Sequence, residues 1–443
     1  MSALHAELAW VGGAVRRDVR IDCQGERIAS VRPDAAPAAH VRRLTGLVVP
    51  GLANAHSHAF HRALRARTHQ GAGDFWAWRE AMYALADALD PERYRRLARA
   101  VYAEMAQAGI TAVAEFHYVH HDPRGRAYAD PNAMGEALVA AAAEAGVRLT
   151  LLDGCYLRGG FDEPRLEGPQ RRFGDADVDA WAARAEALGE RPGLRRGAAI
   201  HSVRAVPPQA QETVAAWAQA RGLPLHVHVS EQPAENAACH AALGRTPTQV
   251  LAEAGALGPR TTAVHATHLT QGDLALLGGT TTAACLCPTT ERELADGIGP
   301  ASDLAAAGSP LCVGSDSHAV IDLLEEARAI ELDERLATLA RGHHAPEALL
   351  AAATTQGHTR LGWDVALEEG ALADLIAIDL ASPRTAGATA ETAVAHAVFA
   401  ATASDVTDVI VGGRPLVTEG RHRTLDVAGE LAAAQAELRD ATR

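Results

Sequence analysis

Cysteine is scarce: six residues in a chain of 443, too few and too scattered for the disulfide framework of a small secreted fold. Cys285 and Cys287 stand one residue apart, without the two-residue spacer of a redox or structural-zinc pair, and the thiols read as buried side chains. Long apolar runs are also missing. No window approaches the roughly 20 apolar residues that cross a bilayer, and the first ten residues lack the basic segment and apolar core of an export signal. The expectations are a cytoplasmic location and no membrane partner. Positive charge is in deficit too, 41 Lys+Arg against 55 Asp+Glu, for a formal charge of −14 with histidine neutral. That excludes a basic surface for nonspecific nucleic-acid binding but leaves room for a local basic pocket that takes an acidic ligand. No repeat of the length that builds solenoids recurs.

What is present is the composition of a compact enzyme: 48% hydrophobic and 22% charged residues. The length fits two or three domains, or one large barrel with additions. Residues 1–48 hold short β-type pieces separated by Gly and polar turns, and predict a small sheet. Beyond Pro50-Gly51, apolar segments alternate with Ala-rich helical ones. Strands are expected at 109–117, 147–154, 194–201, 223–230, 261–266, 280–287 and 311–316, and the stretch ending at His58 makes eight. Helices are expected at 91–108, 132–145, 177–188, 208–221 and 246–256, then at 323–339, 346–356 and 357–361. Eight strands with helices between them specify an α/β fold, a (β/α)8 TIM-type barrel, with functional residues at the C-terminal strand ends. After Glu369 the pieces 373–378, 394–399, 406–411 and 412–417 return to β character. The expected division is an accessory β-sandwich from 1–48 and 369–425, a barrel over 49–368, and a C-terminal helix over 426–443. The polar, Gly- and Pro-containing segment 159–174 follows the third barrel strand and is a candidate active-site loop.

The chemistry gathers at strand ends. His56 and His58, one residue apart at the end of an apolar run, project to the same side of a strand and can share a cation. Further donors stand at later ends: His226, His228 and Glu231 after the fifth strand, His265 after the sixth, Asp316 and His318 after the eighth. Imidazoles with a carboxylate suit one divalent metal, Zn2+ first and Fe2+ as the alternative.

The combination Pro50-Gly51-Leu52, Asn54, His56-Ser57-His58, His226, His228, Glu231, His265 and Ser315-Asp316 resembles the amidohydrolase superfamily in its mononuclear deaminase branch. The resemblance spans nearly the whole chain. It implies His56, His58, His228 and Asp316 as metal ligands, Glu231, His265 and Asp316 as catalytic residues, and a homodimer. His201, not a lysine, stands at the end of the fourth strand, which favours one metal over two. His120, His121, His226 and His318 are left as supporting histidines.

Within that branch, four segments resemble the formimidoylglutamate deiminases. They are residues 55–60, residues 201–206, Phe75-Trp76-Ala77-Trp78-Arg79-Glu80-Ala81-Met82-Tyr83, and Ala114-Glu115-Phe116-His117-Tyr118-Val119-His120-His121-Asp122. The implied substrate is a linear amidine bearing two carboxylates, held by His61, Arg79, Tyr118, His201 and Arg204. Guanidinium groups suit such a ligand because they meet carboxylates in two-pronged, charge-assisted pairs. One position departs: the family pattern has glutamine where this chain has His61. Two other readings stay open, a deaminase of guanine or another nucleobase, and a noncatalytic zinc-binding ligand sensor.

Overall fold

The alternating pieces at the two chain ends pair with one another in the computed structural model, which describes residues 2–39, 41–67 and 75–441. The side chains of Phe75, Trp76 and Ala77, in the segment singled out above, and residues 1 and 442–443 lie outside the described residues. One eight-stranded accessory sheet runs in the order Arg421–His422, Arg414–Thr418, Val406–Val411, Leu375–Ile378, Arg42–Pro50, Ser2–Val11, Ala14–Gln24, Arg27–Arg32. Arg42–Pro50 joins the ends, parallel to Ser2–Val11 and antiparallel to Leu375–Ile378. One face of the sheet closes a small core of its own, from Leu4, Val19, Ile21, Leu44, Val48, Leu375 and Ile410 among others.

A single residue, Gly51, separates that sheet from the barrel. The barrel strands are β1 (Leu52–Ser57), β2 (Ile110–His117), β3 (Arg148–Cys155), β4 (Leu194–Ser202), β5 (Leu225–Val229), β6 (Thr261–His265), β7 (Ala283–Leu286) and β8 (Leu311–Val313). Neighbours pair in parallel and in sequence order. Covered on both faces, such strands read as continuous apolar runs, which is why apolar segments set between helical ones, without an alternating pattern, located them. Helices between them start and stop on local chemistry. Asp90 accepts from the Arg93 backbone N–H at 2.8 Å to cap Pro91–Gln107, and Gly222, at φ +65°, ends Pro208–Arg221.

The barrel closes at the functional end. The Asp316 N–H donates to the His56 carbonyl at 3.0 Å and the His58 N–H to the Asp316 carbonyl at 3.2 Å. Gly314 permits this approach, since a Cβ there would lie 2.7–2.8 Å from His56 atoms.

Two expectations are corrected. Residues 394–399 are not β but part of the helix Ala393–Phe399, whose buried residues Ala393, Val394, Ala397 and Val398 form one helical stripe. Strands β7 and β8 are also shorter than expected. Thr280 caps the preceding helix and Thr281 takes φ +54° before β7 begins, while the chain leaves β8 at Gly314 to reach His56. Among the described residues no helix is long and apolar enough to cross a membrane.

Candidate active site

Four side chains from three strand ends converge. His56 comes from β1 and His58 from the residue just after it, His228 from β5, and Asp316 follows β8. His58 Nδ1–H donates to the Phe116 carbonyl at 2.9 Å and His228 Nδ1–H to the His201 carbonyl at 2.8 Å. A carbonyl accepts only, so both rings carry their proton on Nδ1 and turn an Nε2 lone pair inward. These Nε2 atoms lie 3.3 Å apart, and His56 Nε2 is 3.1 Å from that of His228. Asp316 Oδ1 stands 3.3 Å from His56 Nε2 and 3.5 Å from His58 Nε2. Ligands about 2.0–2.1 Å from a zinc ion in a tetrahedron are about 3.3 Å from each other. The donor set and its spacing therefore fit one divalent metal. Burial holds His58 and His228 well below the ordinary imidazole range, with the neighbouring rings adding to it, so both are neutral donors. Burial acts to raise Asp316, but His56, His265 and His58 outweigh it and hold the carboxylate well below its usual range.

Around this group the backbone is strained. Ser230, His265, Ala266, Asp316 and His318 all have positive φ, between +39° and +67°, a conformation non-glycine residues adopt where surrounding structure imposes it. For His265 the result is a ring set among acids: Nδ1 lies 3.4 Å from Glu291 Oε1, while Nε2 lies 3.8 Å from Glu231 Oε1 and 3.9 Å from Asp316 Oδ2. Burial favours neutral His265, yet Glu231, Glu291 and Asp316 outweigh it and push its pKa well above the ordinary value. Glu231 is raised, chiefly by burial. This pair holds one protonated ring beside one carboxyl ready to exchange a proton.

A cavity of about 390 Å³ opens over the group. His58, His228, Asp316, Glu231, His265, His61, Arg79, Tyr118, His201 and Arg204 line it, and His56 lies directly behind, fully buried. Phe161 and Phe173 of the 159–174 segment also face it. Arg204 is anchored by donating from Nη1 to the Gly159 carbonyl at 2.9 Å, and Arg79 Nε donates to the Tyr83 hydroxyl at 2.7 Å. His61 Nε2 lies 3.1 Å from the Tyr118 hydroxyl, and burial lowers the His61 pKa to about 3, so the ring is neutral. Burial, with Arg204 and Arg79 nearby, likewise keeps His201 neutral.

Residues 47–416 match the Amidohydrolase family. The chain belongs to the amidohydrolase family. A Pseudomonas aeruginosa protein named formimidoylglutamate deiminase is 40% identical over 98% of each chain. A Natronomonas pharaonis 5-methylthioadenosine/S-adenosylhomocysteine deaminase is 29% identical over 92% of this chain and 90% of its own. The crystal structure of an amidohydrolase from Brucella melitensis superposes with a TM-score of 0.92 at 33% identity, covering 99% of this chain and 100% of that one.

Sequence reasoning missed several residues of this amidohydrolase site. Glu291, which fixes His265 from behind, sits four residues after Cys287, whose N–H donates to Glu291 Oε1 at 2.8 Å. Glu115 accepts from Ser57 Oγ and the Ala59 N–H, each at 2.6 Å, and so braces the chain on both sides of His58. Burial raises Glu115 to about 8. Its place beside Phe116-His117 was visible, its partners 56 and 58 residues away were not. Tyr156, Trp78 and Glu235 also line the cavity. The supporting histidines take structural partners: His318 spans Ser57 Oγ at 3.2 Å and Ser315 Oγ at 2.9 Å, His120 contacts the Gly154 carbonyl at 2.9 Å, and His121 lies 3.3 Å from Asp175. His226 is fully buried inside the barrel.

Proposed function

We propose that this amidohydrolase hydrolyses N-formimino-L-glutamate to N-formyl-L-glutamate and ammonia, using one Zn2+ held by His56, His58, His228 and Asp316. The observation that carries the reading is the pairing of Arg79 and Arg204 with the His/Asp group in one cavity. Two guanidinium groups answer two carboxylates, whereas a nucleobase would need flat stacking and amide-type readout. The name borne by the 40% identical relative agrees with it. One metal is supported by sequence as well: the chain contains no lysine, so no carbamylated lysine can bridge a second ion. Imidazole and carboxylate donors favour zinc over harder cations.

When bound, such a metal would lower the pKa of a water molecule to near 7 and polarise the carbon–nitrogen double bond. The chain's own residues do the rest. Arg79 and Arg204 hold the carboxylates, and Tyr118, His61 and His201 fix the amidine end. Asp316 faces the ligand group with Oδ1 and His265 with Oδ2, so Oδ2 is placed to take the proton of the attacking water. Protonated His265 stabilises charge on the new oxygen. Glu231, raised by burial, delivers a proton to the departing nitrogen. Aromatic walls from Phe161, Phe173 and Tyr156 keep bulk water out. The active molecule is a homodimer in the cytoplasm, and light scattering on purified protein is expected to give twice the chain mass.

Ammonia release from N-formimino-L-glutamate by zinc-loaded protein tests the reading. Arg79→Ala and Arg204→Ala are each expected to lower kcat/KM by about 100-fold or more through KM. Turnover of guanine with none on the formimino substrate contradicts it.

A further inference from the structure

The Arg79 side chain belongs to a hydrogen-bonded chain that crosses from helix Phe75–Asp87 to the 159–174 segment. Arg79 and Tyr83 are four residues apart on one helix face. The guanidinium donates from Nε to the Tyr83 hydroxyl at 2.7 Å and its carbon lies 5.1 Å from the ring centre. The same hydroxyl accepts from Gln170 Nε2 at 3.1 Å. Gln170 is itself nearly buried, and its Oε1 accepts from the Glu167 N–H at 3.3 Å in the turn Gly168–Arg172.

That turn cannot drift. Arg172 is fully buried and donates to three carbonyls, of Ala86 at the end of the Arg79 helix, of Leu89 just beyond it, and of His121 after β2. Its own carbonyl accepts from the His120 and His121 N–H groups at 2.9 and 3.0 Å. Tyr83 also packs on Phe173, whose ring meets Tyr118 and Tyr156 in the cavity wall.

We propose that Tyr83, oriented by Gln170, is a positioning residue that fixes the Arg79 guanidinium and thereby sets the length of dicarboxylate the cavity accepts. This rests on the reading that Arg79 meets a substrate carboxylate. An arginine on a free stem follows a carboxylate inward or outward, so it binds four- and five-carbon dicarboxylates alike. An arginine tied through Nε to a hydroxyl, which is tied in turn to a pinned turn, holds its fork at one distance. Discrimination by one methylene, which hydrophobic pockets limit to about 10- to 200-fold, then depends on the rigidity of a polar contact.

The test uses zinc-loaded protein and two readouts. Calorimetry with glutarate and succinate measures dicarboxylate length preference whatever reaction the enzyme catalyses. Steady-state kinetics on N-formimino-L-glutamate and N-formimino-L-aspartate measures it in turnover. Tyr83→Phe is expected to weaken glutarate about tenfold and succinate less, to raise KM for the glutamate substrate by a similar factor with a smaller change in kcat, and to shrink the preference over the aspartate substrate. Gln170→Leu moves both in the same direction by less, and the double variant adds little to Tyr83→Phe. Equal losses for both ligand lengths, or a fall in thermal stability with the length preference intact, overturn the positioning role. Wild-type protein that prefers glutarate but releases no ammonia from the formimino substrate leaves the positioning role standing and defeats the proposed reaction.

Discussion

Asp316 divides its carboxylate between two neighbourhoods. Oδ1 faces His56 and His58 at 3.3 and 3.5 Å, and Oδ2 faces His265 at 3.9 Å. Asp316→Asn keeps an oxygen donor but cannot accept a proton, so kcat is expected to fall about 10²–10⁴-fold while metal analysis still finds zinc; full activity with metal bound contradicts the proton role. His61 is the opposite case. Neutral, buried and 3.1 Å from the Tyr118 hydroxyl, it does what an amide can also do, so His61→Gln is expected to keep kcat/KM within about fivefold, whereas His61→Leu, leaving Tyr118 without that partner, loses about tenfold. At this scale the sequence exposed side chains that stand at strand ends, because spacing alone puts them there. It hid Glu115, Glu291 and Tyr83, whose work depends on partners supplied by other turns of the barrel.

The element that decides the site is the junction of β8 with β1. Gly314 lets the two chains approach closely enough for Asp316 and His56 to exchange backbone contact. Gly314→Ala puts a Cβ within 2.7–2.8 Å of His56 atoms and is expected to lower zinc affinity by about tenfold or more, read by competition with a chelator, because ligand geometry tolerates little displacement. Elements were legible in proportion to their burial and length. Parallel strands announce themselves as apolar runs, and β2 to β6 were read to within about two residues of their ends, whereas the first stretch ran on from Val48–Pro50, which belong to the accessory strand Arg42–Pro50, into β1. The short β7 and β8 were overextended because turn residues such as Thr280 and Thr281 are β-branched, and Ala393–Phe399 looked like a strand because Val394, Val398 and Phe399 carry β propensity that packing of one helical stripe overrides.

At the level of the whole molecule, the two chain ends build one sheet and an ion pair locks it to the barrel. Arg148, at the start of β3, donates to Asp374 Oδ2 at 2.6 Å and Oδ1 at 3.1 Å, and Asp374 is fully buried beside Leu375–Ile378. Arg148→Met strands that carboxylate, and urea unfolding is expected to show a loss of about 3–5 kcal/mol. The accessory sheet was legible as β character at both ends, but its strand order was not, since pairing between residues some 330 apart leaves no local trace. The turn that leads into the inner strand Val406–Val411 also carries an acid-sensitive contact. Burial alone raises Asp405, but Arg384, Ser382 and the Thr402 N–H outweigh it and hold it at about 2 against 3.8. The unfolded carboxyl therefore binds its proton first as pH falls. The stabilisation is fully present above about pH 4 and disappears as pH drops through about 2; with Arg384 44% exposed, solvent and salt screen it. The stability gap between wild type and Asp405→Asn is accordingly expected to narrow across that interval.

In the proposed reaction one metal ion, held by His56, His58, His228 and Asp316, supports hydrolysis of N-formimino-L-glutamate. Titration of chelator-stripped protein with Zn2+, following ammonia release from that substrate, tests it most directly. Activity is predicted to rise linearly from near zero and to break sharply at one zinc per chain, and to stay near zero in His228→Ala. A break at two equivalents, full activity in the stripped protein, or no ammonia at any zinc level would rule out single-metal hydrolysis of this substrate.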